Sequence, residues 1–212
     1  VLTPRTIYAN RDDMNSQVAF GDMYRDGKGV PQDYKLAMKC YRKAANPNPG
    51  YPPAQYRVGN MYVFGLGVNK SPSKAMKWHL KAAKQGYPDS QNFIGDQHCV
   101  GRGAHNYAQA MEWHLKAANQ GYTASQYRIG VLYDYGHGVA QDFVKATEWY
   151  IKAANQGNAD SQYSLGYLYH HRQGVASDGV KAVEWYQKAA DQGHFSAKTA
   201  LEDLKSCGVV GH

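Results

Sequence analysis

The groups in this chain best suited to chemistry are its nine histidines and three cysteines, and their spacing argues against catalysis by them. Cys99 follows His98 directly. Adjacent side chains on a helix do not face each other, and no acid is placed to orient the imidazole as a base. His79 and His114 share one slot of a repeated helix, where later copies carry Tyr150 and Tyr186. Stacked helix axes lie about 8–10 Å apart, so such a pair can approach without completing a four-ligand site. His170 and His171 are neighbours that point differently around a helix. Cys40, Cys99 and Cys207 are odd in number and widely spaced, which fits neither a disulfide framework nor a zinc site. The recurring Gly-x-Gly turns lack the preceding strand and the third spaced glycine of a nucleotide loop. No catalytic residue, metal site or cofactor is expected.

Those histidines and turns sit on a repeat. Trp78, Trp113, Trp149 and Trp185 follow one another at 35, 36 and 36 residues. Ala44-Ala45, Ala82-Ala83, Ala117-Ala118, Ala153-Ala154 and Ala189-Ala190 keep the same step, as do Gly21, Gly59, Gly95, Gly130 and Gly166. A fixed period of this length marks stacked supersecondary units. The insertion at Asn46-Pro47-Asn48-Pro49 lengthens the first step. Each copy carries two helical patterns. Helix A places Ser125, Ile129, Leu132 and Tyr133 on one face. It ends at a Gly-x-Gly turn: Gly27-Gly29, Gly65-Gly67, Gly101-Gly103 and Gly136-Gly138, with only Gly174 kept in the last copy.

Helix B follows. Asp33, Ser71, Asn106, Asp142 and Asp178 stand where a short side-chain oxygen can accept a free backbone N–H. Lys43, Lys81, Lys116, Lys152 and Lys188 complement the negative end of the dipole. Gly86, Gly121, Gly157 and Gly193 stop the helix. Each helix pair has an apolar face that only a neighbouring pair can bury, so the copies must stack. The fixed Tyr and Trp positions are read as that core.

These residues closely resemble the Sel-one-like repeat family, relatives of the tetratricopeptide repeat. The fourth copy carries the family pattern as Ile129-Gly130, Tyr133, Gly136-His137-Gly138-Val139, Asp142, Lys145-Ala146, Trp149-Tyr150, Lys152-Ala153-Ala154 and Gly157. The third copy departs from it at His98 and Ala104. The resemblance implies an all-α fold, a right-handed α/α solenoid of about five helix-pair repeats with a concave face, and a C-terminal capping helix. It also implies work as an adaptor in protein complexes, with no catalytic residue in the repeat itself. Secreted bacterial members that pair two cysteines in each repeat have no counterpart of those pairs here. The expected organisation is 1–15 as a linker or the remnant of a preceding repeat, 16–195 as the solenoid, and 196–212 as a partial sixth repeat or capping helix with a frayed tail.

Comparison of the copies separates positions that build the solenoid from positions able to read a partner. Advancing about 100° per residue from the helix A glycine, the face away from the packing residues holds positions −3, +1, +4 and +5. It carries Tyr56, Asn60, Phe64, Asn92, Asp96, Tyr127, Val131, Asp134, Tyr135, Tyr163, Tyr167 and His170. Exposed aromatics anchor protein interfaces, so this stripe is the candidate binding face, in competition with simple packing of the rings on the next repeat. Gln17, Gln55, Gln91, Gln126 and Gln162 do not vary and fit hydrogen bonds between repeats better than a clamp on a bound peptide backbone.

The net charge of +7, with 43% hydrophobic and 19% charged residues, describes a globular chain and raises an acidic partner. The excess lies on helix B, at Lys74, Lys77, Lys81, Lys84, Lys145, Lys152, Lys181 and Lys188. A basic face of this kind could meet nucleic acid or acidic lipid, but base-stacking sites interleave aromatics with the basic residues, and no such pattern is read here. No specific nucleic acid and no transmembrane segment are predicted. The partner expected is another protein or a peptide segment. The alternatives are the basic surface and an enzyme with a composite site in the groove. The opening shows no secretory pattern, and it starts on Val1 rather than Met, as a processed or excised chain does. A cytoplasmic setting is expected, with a secretory or organelle lumen as the alternative.

Overall fold

The computed structural model describes residues 13–100, 106–171 and 178–206. Those residues form eleven helices and no strands: α1 (Met14–Asp26), α2 (Tyr34–Ala45), α3 (Pro52–Phe64), α4 (Pro72–Lys84), α5 (Pro88–Val100), α6 (Tyr107–Ala118), α7 (Thr123–Tyr135), α8 (Phe143–Ala154), α9 (Ala159–His171), α10 (Gly179–Asp191) and α11 (Phe195–Ser206). The architecture is an all-α solenoid of five A/B helix pairs followed by a terminal helix. No described helix is long and apolar enough to cross a membrane.

The expected helix signals act as read. Asp33, Ser71, Asn106, Asp142 and Asp178 each accept a backbone N–H from the first turn of helix B, replacing a partner that the helix itself cannot supply. Asp13 caps α1 in the same way through Ser16. The turns at Gly101-Gly103 and Gly174, the expectations for residues 1–12, and the frayed tail from Cys207 onward lie outside the described residues.

The chain forms two compact units, Val1–Ile94 and Gly95–His212. In the first, α1 packs on α2 and α3 on α4, and α2 also packs on α3. Its core holds Ala37, Met38, Tyr41, Ala44, Ala54, Val58, Met61 and Tyr62. In the second, α7 packs on α8 and α9 on α10, with α6 against α7, α8 against α9, and α11 closing over α10. Ala197, Leu201 and Leu204 of α11 bury themselves against Tyr186, Ala189 and Ala190.

One contact recurs in every pair. A ring from helix B lies flat on the bare glycine of helix A: Tyr41 on Gly21, His79 on Gly59, His114 on Gly95, Tyr150 on Gly130 and Tyr186 on Gly166. A methyl on Gly130 would stand 2.5 Å from two Tyr150 ring atoms. All five rings are at most 1% exposed. A buried tyrosine ring removes about 150–250 Å² from water, so each of the three tyrosine locks is worth a few kcal/mol at roughly 25 cal/mol per Å².

The tryptophans differ from expectation. They are not core residues but half-buried rings at its edge. Lys81, Lys116, Lys152 and Lys188 place their ammonium groups 3.8–4.3 Å from the centroids of Trp78, Trp113, Trp149 and Trp185. Lys74, Lys145 and Lys181 lie similarly over Tyr62, Tyr133 and Tyr169. Basic and aromatic groups therefore do interleave on helix B, contrary to the sequence reading. Because the chain's own lysines cover those rings by cation–π attraction, they are not bare stacking platforms.

Candidate functional site

The helix A stripe divides into two kinds of position. The tyrosines three residues before each glycine are half-buried and packed. Tyr56 lies between His79 and Tyr87, with centroids at 5.6 and 5.4 Å. Tyr127 lies 5.9 Å from Tyr150, and Tyr163 lies 5.6 Å from Tyr186 and 4.7 Å from His194. Val131 joins the same core as Tyr127. These side chains pack within the protein, and Tyr163 also lines a cavity. Asn60 and Asn92 are half-buried. The outward positions are Phe64, Tyr135 and Tyr167, at 68%, 66% and 40% exposure, and His170.

In the first unit the acid of this face is consumed within the protein. Asp22 accepts from the Tyr41 hydroxyl at 2.7 Å and pairs with Arg57 at 2.9 Å and Arg25 at 3.0 Å. Arg57 comes from the next repeat, and its guanidinium also lies 5.6 Å from the Tyr56 centroid.

The second unit repeats this arrangement once and then breaks it. Asp96 pairs with Arg128 of the next repeat at 2.9 Å, and that guanidinium lies 5.9 Å from the Tyr127 centroid. His114 Nε2 is 3.8 Å from the same carboxylate. A cavity of about 210 Å³ remains there, lined by Asp96, Cys99, Tyr107, Arg128, Val131 and His137 among others.

One repeat on, the acid is Asp134, a helical turn further along the face. It accepts from the Tyr150 hydroxyl at 2.9 Å. Its backbone carbonyl accepts from Gln141 Nε2 at 2.7 Å. The residue aligned with Arg57 and Arg128 is Ser164. Among the described residues no lysine or arginine pairs with Asp134. Burial raises its carboxyl above the usual range, and the Tyr150 bond opposes that only in part. The Tyr150 phenol is pushed far up by burial and by the Asp134 charge. Around this carboxylate opens a cavity of about 350 Å³, lined by Asp134, Tyr135, Gln141, Phe143, Tyr163, Ser164 and Tyr167.

Sequence reading did not find Phe143, Gln141 or Ser164. Phe143 opens helix B, where only contacts across repeats reveal its direction. Ser164 carried a partial signal: it shares a column with Ala19, Arg57, Phe93 and Arg128, where arginine appears only after a copy with an aspartate next to its glycine.

The glutamines serve the repeats themselves. Gln55, Gln91, Gln126 and Gln162 donate to Ala45, Ala83, Ala118 and Ala154 carbonyls at the end of the preceding helix B. Gln55, Gln126 and Gln162 also accept from Gln85, Gln156 and Gln192 at 2.7–2.8 Å. Those bonds leave little capacity for a peptide backbone.

The reactive groups stay quiet. Burial raises the Cys99 thiol, and the Asp96 charge adds to it; a nucleophilic thiol needs the opposite shift. Burial likewise raises Cys40. His79 and His114 are buried, and burial lowers each to about 4. His79 Nδ1 meets Ser90 Oγ at 3.2 Å, while His79 Nε2 and both His114 nitrogens have no hydrogen-bond partner among the described residues. His170 and His171, expected to diverge, have ring centroids 4.4 Å apart, and His171 sits 4.1 Å from Tyr167. No cluster of three metal-ligating side chains occurs among the described residues.

The sequence matches the Sel1 repeat family at residues 15–46, 52–87, 88–122, 123–158 and 159–194. No curated protein matches it. It is similar to the crystal structure of a Sel1 repeat protein from Oxalobacter formigenes, at 35% identity and TM-score 0.86, over 96% of this chain and 81% of that one. It is also similar to c5321, a protective antigen of uropathogenic Escherichia coli strains displaying an SLR fold, at 33% identity and TM-score 0.82. That match covers 92% of this chain, which spans 42% of the antigen. The immunity protein Pa5087 from Pseudomonas aeruginosa shares the fold at 21% identity and TM-score 0.59, over 90% of this chain and 75% of that one.

Proposed function

Since the chain belongs to the Sel1 repeat family, whose members are generally protein-interaction scaffolds, we propose that it holds a protein segment against the helix A face of its second unit. The observation that carries this reading is the pair of outward tyrosines, Tyr135 and Tyr167, beside a cavity of about 350 Å³. Soluble proteins seldom expose large aromatic groups around a concavity without a use for them. Tyr and Trp dominate interface hot spots because they bring large, rigid contact area with a polar tip. The face works by binding, and no reaction is assigned to it.

The test uses Tyr135→Ala/Tyr167→Ala, because both side chains point outward and their loss leaves the ring-on-glycine locks intact. Partners captured from lysate by the parent are compared with those captured by the variant at equal helicity. A partner held by the parent and lost by the variant supports the reading. Identical capture by both overturns it and moves the search to the lysine-covered helix B surface.

A further inference from the structure

We infer that the cavity beside Asp134 is a receptor for one arginine side chain of the bound partner segment, an inference that deepens the binding reading above. The protein pairs its own helix A acids in a recurring way. Asp22 and Asp96 stand on helix A faces, and each is met by an arginine reaching in from the next repeat. In both places the guanidinium also lies over the tyrosine beside it in sequence, Tyr56 or Tyr127. Two groups thus recur around a guanidinium: a carboxylate and an aromatic face. That combination suits arginine, which is planar, always charged, and able to bond an acid while stacking on a ring.

At the fourth repeat both groups are present and the arginine is missing. Ser164 occupies the arginine's place in the sequence and lines the cavity with Asp134. Ser164 and Asp134 line the same cavity, and the Tyr150 hydroxyl donates to that carboxylate at 2.9 Å. Tyr163 stands in the position of Tyr56 and Tyr127, and Tyr135, Phe143 and Tyr167 supply further ring faces. Asp134 has the Tyr150 hydroxyl as its side-chain partner, while its neighbours Asp22 and Asp96 have cations. A half-buried carboxylate gains from a charge-assisted bond more than an exposed one does. An aromatic wall rewards a flat cation over a hydrated ammonium. The net charge of +7 points toward acidic partners, but the local charge of this cavity selects a basic side chain.

The probe is Nα-acetyl-arginine methylamide, with the citrulline counterpart as its neutral isostere. Ring proton shifts of Tyr135, Tyr163 and Tyr167 are followed by NMR in the parent, in Asp134→Asn and in Ser164→Arg. Asp134→Asn keeps an acceptor for Tyr150 and removes the charge. Ser164→Arg restores the cation that the other two sites carry and should fill the cavity from within. The expected result is saturable shifts with the arginine compound, at least about ten-fold weaker binding of the citrulline compound, and a comparable loss in both variants. Equal response to the two compounds, unchanged binding in either variant, or no saturable shift in the parent overturns the inference. The two readings fail separately: a partner lost by Tyr135→Ala/Tyr167→Ala but retained by Asp134→Asn and Ser164→Arg keeps the face and rejects the arginine, whereas identical capture by the parent and Tyr135→Ala/Tyr167→Ala rejects the face itself.

Discussion

The Asp96 and Asp134 cavities lie in the same unit, on successive copies of one repeat, and they have opposite characters. At Asp96 the next helix supplies Arg128, the charge is matched internally, and about 210 Å³ remains. At Asp134 the next helix supplies Ser164, the carboxylate keeps a tyrosine hydroxyl, and about 350 Å³ is open. In a repeat protein the frame is fixed by what recurs, so two exchanges, Val131 at the place of Asp96 and Ser164 at the place of Arg128, with Asp134 a turn away, replace a structural tie by an open cavity. On the proposed reading, recognition resides in such departures between copies rather than in any motif.

The largest expected effect breaks the ring beneath Asp134. Tyr150→Ala removes a buried ring and should cost about 3–5 kcal/mol. Tyr150→Phe keeps the ring and removes the bond to Asp134, for about 1 kcal/mol. Chemical denaturation of the two variants separates packing from hydrogen bonding. A loss in Tyr150→Phe as large as in Tyr150→Ala would mean that the phenol, not the ring, holds the repeat.

Acid should sharpen the contrast next. His114 takes the ring position beneath Asp96 that Tyr150 takes beneath Asp134, and His79 is its counterpart in the first unit. Burial lowers both histidines to about 4 from an ordinary 6.5. The unfolded chain therefore binds more protons than the folded one between these values, and stability falls as pH drops from about 6.5 toward 4. Arg128 also disfavours the charged form of His114, whereas Asp96 lies 3.8 Å from its Nε2. Each histidine contributes about 3 kcal/mol of this loss. His114→Tyr, which installs the ring found in the fourth copy, should flatten the stability profile over that window. An unchanged profile would show that His114 is protonated at no cost.

The smallest effect converts one cavity into the other. Arg128→Ser should cost only about 0.5–1 kcal/mol, because the arginine is partly exposed. It should also give Asp96 a binding site for Nα-acetyl-arginine methylamide, read from the Tyr107 ring resonances. Failure of the opened site to respond would separate Asp96 from Asp134 despite their common plan.

Much of this was legible in the sequence for a physical reason: helix ends are local. Asp33, Ser71, Asn106, Asp142 and Asp178 cap their helices because the oxygen and the N–H it meets are at most three residues apart. The solenoid followed from the period alone. The exposure of the helix A stripe was read only in part. Counting around helix A placed Tyr56, Tyr127 and Tyr163 on the outward side, yet each is covered by rings from helix B or from the residue before or at the start of the next helix. A helical wheel describes one helix in isolation and carries no information on what the following repeat lays over it. The same limit hid Phe143, whereas each lysine over a tryptophan stands three residues on along the same helix and was open to such a count. Ser164 was visible, but its meaning required seeing that Arg57 and Arg128 reach an acid.

The account is tested most directly by asking where the partner touches. A benzophenone side chain is installed at Tyr135 in one sample and at Glu148, between Lys145 and Lys152 on helix B, in another, and both are irradiated in lysate. The account predicts a discrete cross-linked product from position 135 and none from position 148. A product from position 148 alone would contradict it and assign recognition to the basic helix B surface.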